Sequence, residues 1–449
     1  MHKSQPTLRP VNARRRFCLM AAGTAVTTLG ATVAHAANAN ANDTTDHPPT
    51  QRDINADASN RAPTSSLSIA GVGATLHTFR IDETQGSLQN AGVLTVPAPV
   101  QYAWRHPRMP LLYVAYSNGS PTTAGDHHGL ATLHVQADGT LTEAFAPLTL
   151  HNRPINITVS PDGKYALVAY NAPSAVTVHA LSPHGQPHVA IPQNSAIDAG
   201  VYAHQVRVTP DGNSVLLVTR GNDAKPTKPE DPGAIKQFSF QDGQLSNERS
   251  IAPHGGFGFG PRHLDFHPTQ PWVFVSLERE NQMMVFSMRD GQLAETPIFT
   301  VSTVRDTAHQ QSRQMVSAIH ISRDGRFVYV SNRANGIADV NGQKVFAGGE
   351  NSLTVFSIDQ STGAPTRLQS IDTDSFNPRT FALTTDGRMA ISGAIESMAV
   401  RHGDDVQIVP ASLTLFHIGQ DGRMTLAGKT DVQTSGQWMF WTGAFDTSV

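Results

Sequence analysis

ITVSPDGKYALVAYN at residues 157–171, VRVTPDGNSVLLVTR at 206–220 and IHISRDGRFVYVSNR at 319–333 are three copies of one unit. Each is a short apolar strand, an Asp-Gly turn and a second strand. Glycine at the turn accepts the positive φ that a tight hairpin needs. The flanking residues alternate and are rich in Val, Ile, Tyr and Phe, as half-buried strands require. Weaker copies stand at 104–118 (WRHPRMPLLYVAYSN), 264–278 (LDFHPTQPWVFVSLE) and 381–394 (FALTTDGRMAISGA). With Pro107, Pro161, Pro210, Pro268, Arg323 and Thr385 as equivalent positions, the intervals are 54, 49, 58, 55 and 62 residues. That is longer than a WD40 blade and closer to kelch spacing, with loops of variable length.

A third strand follows each hairpin: VTVHAL at 176–181, KQFSF at 236–240, MMVFSM at 283–288, LTVFSI at 353–358 and LTLFHI at 413–418. A Gly-containing turn and a fourth strand come next, for example PIFTVST at 297–303. Four strands per repeat make a propeller blade. Six repeats are complete. ATLHTFRID at 74–82 is a lone third strand, with a fourth near 92–96. Its missing first and second strands have one candidate source, QWMFWTGAF at 437–445. The expectation is an all-β fold over 64–449. It is a seven-bladed β-propeller of four-stranded antiparallel blades, closed by strands from both termini. The competing architectures are six blades or a solenoid.

Only 15% of residues are charged, and the formal net charge is −3. Lys3, Arg9, Arg14, Arg15 and Arg16 fall in residues 1–36, which hold no acid, so the rest of the chain has 28 basic against 36 acidic side chains. That argues against a nucleic-acid surface, which needs a basic stripe. The single cysteine, Cys18, lies in the same segment. A chain processed beyond it has no disulfide, thiol nucleophile or Cys-ligated metal. No His/Asp/Glu pattern reads as a metal site, and neither a metal nor a cofactor is expected.

Residues 1–36 read as a targeting signal. Arg14-Arg15-Arg16-Phe17 opens a mildly apolar stretch that ends in Ala34-His35-Ala36, a small-x-small cleavage site. The arginines followed by Phe17 resemble the twin-arginine export motif; an ordinary secretory signal with a basic start is the alternative. Residues 37–63 read as a disordered leader. No later segment has the run of apolar residues that spans a bilayer. The expected product is a periplasmic or secreted monomer, cleaved after Ala36, whose export partner is the twin-arginine machinery.

An antiparallel hairpin puts the start of its first strand and the end of its second at one edge. In a propeller the first strand lines the channel, so these positions converge on one mouth. The residues there are polar. Asn156, His204, Arg262, His263, His320 and Arg379 come before or early in first strands. Asn118, Asn171, Arg220, Glu278 and Arg333 end second strands. A wet channel needs polar lining, but His, Arg and Glu at equivalent ring positions suit a site. His106 and His267 sit at the opposite edge and read as structural. The Gly-rich GGFGFG at 255–260 opens a strand and reads as a rim loop.

Gly258-Phe259-Gly260-Pro261-Arg262-His263-Leu264-Asp265-Phe266-His267-Pro268 is similar to the G-x-G-P-R-H-hydrophobic-x-F-H-P motif of the lactonase propellers. Glu278 follows 16 residues after Arg262, as that family's Glu does. Ala203-His204, the segment from Ile319 to Arg333, and Pro378-Arg379-Thr380-Phe381 fit the adjoining blades. The resemblance spans roughly residues 70–445. The family includes propeller-type 6-phosphogluconolactonases and fungal carboxymuconate-lactonising enzymes. The resemblance implies that His204, Arg262, Glu278 and Arg333 are catalytic. His263, His320, Arg379 and Asn156 are expected to bind substrate from their ring positions. The implied reaction is metal-independent opening of a sugar lactone. Glu278 or a His activates water, one Arg stabilises the oxyanion and another holds the substrate's anionic group. The competing readings are a non-catalytic YVTN-type propeller, which VYVSNRANG resembles, and a cycloisomerase that forms lactones. The long segments 221–235 and 334–351 follow second strands and are expected on the same face as the site.

Overall fold

The computed structural model describes residues 66–446, apart from 121–122, 309–310 and 312. The export signal expected over 1–36 and the leader expected over 37–63 lie outside the described residues. No helix among the described residues is long and apolar enough to cross a membrane.

Seven antiparallel blades follow one another around a channel, numbered here as blades 1 to 7; six are four-stranded sheets, and in blade 5 the outer strand is split into Gln292–Leu293 and Phe299–Ser302. The second strand of each blade packs between neighbouring blades on both faces. Leu111–Ser117, Ser214–Thr219 and Trp272–Leu277 are accordingly buried at every position. They depart from the alternating, half-buried pattern expected of them, because burial on both faces lets the strand run apolar almost continuously. Outer strands such as Leu141–Thr149 are mostly accessible.

The hairpin joining first and second strands is built by its own side chains. In Ser160-Pro161-Asp162-Gly163 the Ser160 carbonyl accepts the Gly163 N–H at 2.8 Å, and the Ser160 hydroxyl donates to Asp162 Oδ1 at 2.6 Å. Gly163 has φ +75°, the left-handed position that closes a type I turn into a bulge. Thr209/Asp211, Ser322/Asp324 and Thr384/Asp386 repeat the hydroxyl–carboxylate bond. Blades 2 and 5 use His-Pro instead. The Nδ1 of His106 accepts the N–H groups of Arg108 and Met109, which leaves Nε2 as the donor to the Gly163 carbonyl of the next blade, at 3.1 Å. His267 does the same with Thr269, Gln270 and the Gly325 carbonyl, at 2.9 Å. The two histidines read as structural are latches between consecutive blades.

Ring closure differs in one respect from the expectation. Blade 1 runs, from the channel outward, Met439–Asp446, Ser66–Val72, Thr75–Asp82 and Ser87–Thr95. The C-terminus therefore supplies only the first strand. The second is SLSIAGV from the N-terminal side, paired antiparallel with the C-terminal strand from Ser66↔Asp446 to Val72↔Met439. Blades 6 and 7 carry extra hairpins between second and third strands, Ile337–Val340 with Gln343–Phe346 and Met398–His402 with Asp405–Val409. The two hairpins pack against each other.

Candidate active site

Each first strand begins with a bulge. The pairing register shifts between Pro154 and Asn156, Ala203 and Gln205, Pro261 and His263, and Pro378 and Thr380. A bulge places two residues opposite one and re-aims side chains. Here it sends one residue of each pair toward the channel mouth and the next toward the neighbouring blade. Asn156, Gln205 and Thr380 are the second kind. Their side-chain oxygens accept the backbone N–H of Val206, Leu264 and Thr442 on the following blade, at 3.2, 2.7 and 3.0 Å. Asn156 thus links first strands. His204, Arg262 and Arg379 are the first kind, and all three line one cleft of about 350 Å³. Tyr202 and Asn377 stand two residues before His204 and Arg379. Both line the cleft with positive φ, +60° and +56°, a strained backbone at matched ring positions.

The ends of second strands supply the rest. Arg220, Glu278 and Arg333 occupy the same offset in blades 4, 5 and 6 and meet in the cleft. Glu278 Oε1 accepts Arg262 Nε at 3.0 Å and Arg333 Nη2 at 2.6 Å; Oε2 accepts Arg220 Nη1 at 2.5 Å. Burial opposes ionisation of this carboxyl, but the charges of Arg220, Arg333 and Arg262 hold it well below the usual carboxylate range. Arg262 is fully buried (0% exposed), and its Nη1 and Nη2 have no hydrogen-bond partner. Burial pushes its pKa down to about 10 in spite of Glu278. The Nε atoms of Arg220 and Arg333 are also unpartnered. Arg333 Nη1 donates to Asn377 Oδ1 at 3.2 Å. Arg379 lies 3.8 Å over the Phe440 ring and donates to the Phe440 carbonyl.

His204 makes no hydrogen bond with any described residue, and its Nδ1 is buried without a partner. Burial, then the charge of Arg262, lower its pKa well below 6.5, so the ring is neutral near pH 7. His263 lies next to it, ring centroids 5.2 Å apart, and meets Tyr102 edge-on; it is not part of the cleft lining. His320 is not there either. It lines a second cavity further along the channel with Trp104, Phe381 and Phe445, and bonds to the Phe381 carbonyl.

The structure therefore brings together four residues singled out as catalytic, His204, Arg262, Glu278 and Arg333, with Arg379 beside them. Asn156, His263 and His320 are placed elsewhere. Sequence reasoning passed over Arg153, Arg313, Asn335, Glu396, Trp438 and Phe440, which also line the cleft. Arg220 was legible, since it shares the strand-end offset of Glu278. In all, six arginines line the cleft (153, 220, 262, 313, 333 and 379) against Asp223, Glu278 and Glu396. Such a cleft suits an anion, or a reaction that develops negative charge.

The family described as "Lactonase, 7-bladed beta-propeller" matches residues 63–404. The 6-phosphogluconolactonase of Bacillus subtilis is 26% identical over 53% of this chain and 62% of its own length. That of Serratia proteamaculans is 25% identical over 72% of this chain and 85% of its own. A Pseudomonas aeruginosa periplasmic gluconolactonase superposes with a TM-score of 0.62 at 20% identity, over 82% of this chain and 97% of that one, which is a likeness of fold.

Proposed function

We propose that this chain, which belongs to the seven-bladed β-propeller lactonase family, hydrolyses the ring ester of an aldonolactone on the exported side of the membrane. The observation that carries the reading is the Arg262 guanidinium. It is fixed through Nε by Glu278 and fully buried, and both its Nη atoms are without partners. Water attack turns the lactone carbonyl oxygen into an oxyanion, and preorganised donors in a dry site stabilise that charge more than they stabilise the ground state. Arg262 is assigned this role. Glu278 has both oxygens committed to arginines and a pKa far below neutral, which makes it a poor proton acceptor. Its role is to hold Arg220, Arg262 and Arg333 together without mutual repulsion. His204 is neutral and unpartnered in the same cleft, and it takes the proton from the attacking water. Arg333, supported by Asn377, and Arg379 hold the anionic group of the substrate or the carboxylate of the product.

The balance is simple. The water oxygen bonds to the carbonyl carbon and its proton passes to His204. The ring C–O bond then breaks, the alkoxide leaving oxygen takes that proton from His204, which returns to its neutral form, and the new carboxylic acid releases its proton to solvent. Export is supported by the Arg14-Arg15-Arg16-Phe17 segment and by the periplasmic gluconolactonase among the proteins of like fold. The test is a panel of lactones, phosphorylated and unphosphorylated, assayed for ring opening above the spontaneous rate. Opening of an aldonolactone supports the reading. A chain that opens none, but forms a lactone from an unsaturated acid, is a cycloisomerase.

A further inference from the structure

The cleft does not end at Glu278. Between blades 1 and 2 it adjoins a side chamber of about 190 Å³ walled by Gly73, Pro99, Val100 and Gln101. Arg153, Trp438 and Phe440 line both spaces and form their common wall. The Trp438 and Phe440 rings are nearly coplanar in orientation, 8° apart with centroids 6.1 Å apart. Yet Trp438 is 49% exposed, a large indole face left in water at the edge of a polar cleft. Arg153 is 5% exposed. Its Nε donates to Gln101 Oε1 at 3.0 Å, while its Nη1 is buried with no partner. Its guanidinium is therefore fixed in place with a donor to spare. Glu396 also lines the cleft and makes no ion pair or hydrogen bond with any described residue.

An open aromatic face and a pinned donor in the wall shared with the chamber, with the unpaired Glu396 carboxylate on the cleft side, form a recognition set for a pyranose. The apolar C–H face of a sugar lies on an indole, and its hydroxyls both donate and accept. A second phosphate or carboxylate suits the chamber less well, because Arg153 is the one charged residue among its described lining, and Pro99, Val100, Trp438 and Phe440 give it apolar walls. The chamber holds the liquid volume of about six waters, which suits one sugar ring. We infer that the side chamber is a second sugar subsite, and that the substrate is an aldonolactone bearing a glycosyl substituent. The lactone ring lies at Arg262 and the glycosyl ring on Trp438. The inference rests on the lactonase reading for the first ring alone.

The full chain is titrated calorimetrically with gluconate and with a β-1,4-glucosyl gluconate, two product acids that do not react further. The glucosylated acid is expected to bind about tenfold more tightly, an aromatic contact and one or two hydrogen bonds in size. Trp438→Ala is expected to remove that advantage, and Trp438→Tyr to keep most of it. Equal affinity for the two acids overturns the subsite, as does an advantage that survives Trp438→Ala. Hydrolysis of gluconolactone is measured separately. Hydrolysis without the affinity advantage removes the subsite and leaves the enzyme reading. The advantage without hydrolysis removes the enzyme reading and leaves a sugar site.

Discussion

Arg262 Nε donates to Glu278 Oε1 at 3.0 Å, although the two residues begin the first strand and end the second strand of one blade. The hairpin between them brings both side chains to the channel mouth, because its open end lies there. Arg220 and Arg333, at the offset of Glu278 in the flanking blades, complete a carboxylate held by three guanidinium groups.

The cage makes Glu278 a stability residue. Glu278→Gln leaves the fully buried Arg262 and the partly buried Arg220 and Arg333 without their counter-ion, and breaking a buried pair in this way costs about 3–5 kcal/mol. A lower melting temperature is expected, with lost activity as a consequence. The pH dependence has a fixed sign. Glu278 is held below its unfolded value, so its stabilisation is complete above about pH 4.5 and is lost as pH falls through the folded value. Calorimetry of wild type and variant checks both. An unchanged melting temperature would mean that the cage contributes nothing to folding.

His204→Asn separates catalysis from the cage. The substitution leaves Glu278 and its arginines in place, and kcat should fall by about 10²–10⁴ with little change in melting temperature. In the wild type, kcat/KM should be level near neutrality and decline at acid pH, where His204 becomes protonated. Full activity in the variant would pass the role of base to another group.

Acid should loosen the ring through its histidines. Burial lowers the pKa of His106 and His267, the two blade latches, and of His179, His204, His263 and His320. The folded state therefore binds fewer protons than the unfolded chain. Stability should be complete above about pH 6.5 and fall below it. Melting temperatures at pH 7.5 and 5.0 test this, and equal values would contradict it.

Ring closure depends on Met439–Asp446. Deleting 437–449 leaves Ser66–Val72 and the channel-facing side of blade 1 without a partner strand, an open edge that invites aggregation. Insoluble protein is expected on expression at 25 °C. A soluble chain with a single cooperative transition would show that closure is dispensable.

Most of the propeller could be read from the sequence because the Asp-Gly hairpins recur at matched offsets. The same offsets in the repeat mark His204, Arg262, Glu278 and Arg333. SLSIAGV escaped because it has no adjacent hairpin of its own kind; its channel-side partner lies some 370 residues away. Counted back from Pro161, Pro210, Pro268, Arg323 and Thr385, His204, Arg262 and Arg379 stand at six residues, Asn156 and His263 at five and His320 at three, so grouping them by their place early in the strand, without matching the offset, merges two sets that face different ways. The register shift at the start of each first strand decides whether a side chain meets the mouth or the next blade. Trp438 and Phe440 were read only as closing the ring. That they also wall the cleft follows from where the ring closes, which local pattern does not encode.

Arg262 is assigned to the oxyanion that forms as a lactone opens. The direct measurement follows acid release from glucono-1,5-lactone and its 6-phosphate at constant pH, with wild type and Arg262→Met. The wild type should open at least one of them above the spontaneous rate. The variant keeps Glu278 paired with Arg220 and Arg333, and its kcat should be lower by about 10²–10³ at a melting temperature close to that of the wild type. No acid release by the wild type, or equal kcat in a folded variant, would contradict the account.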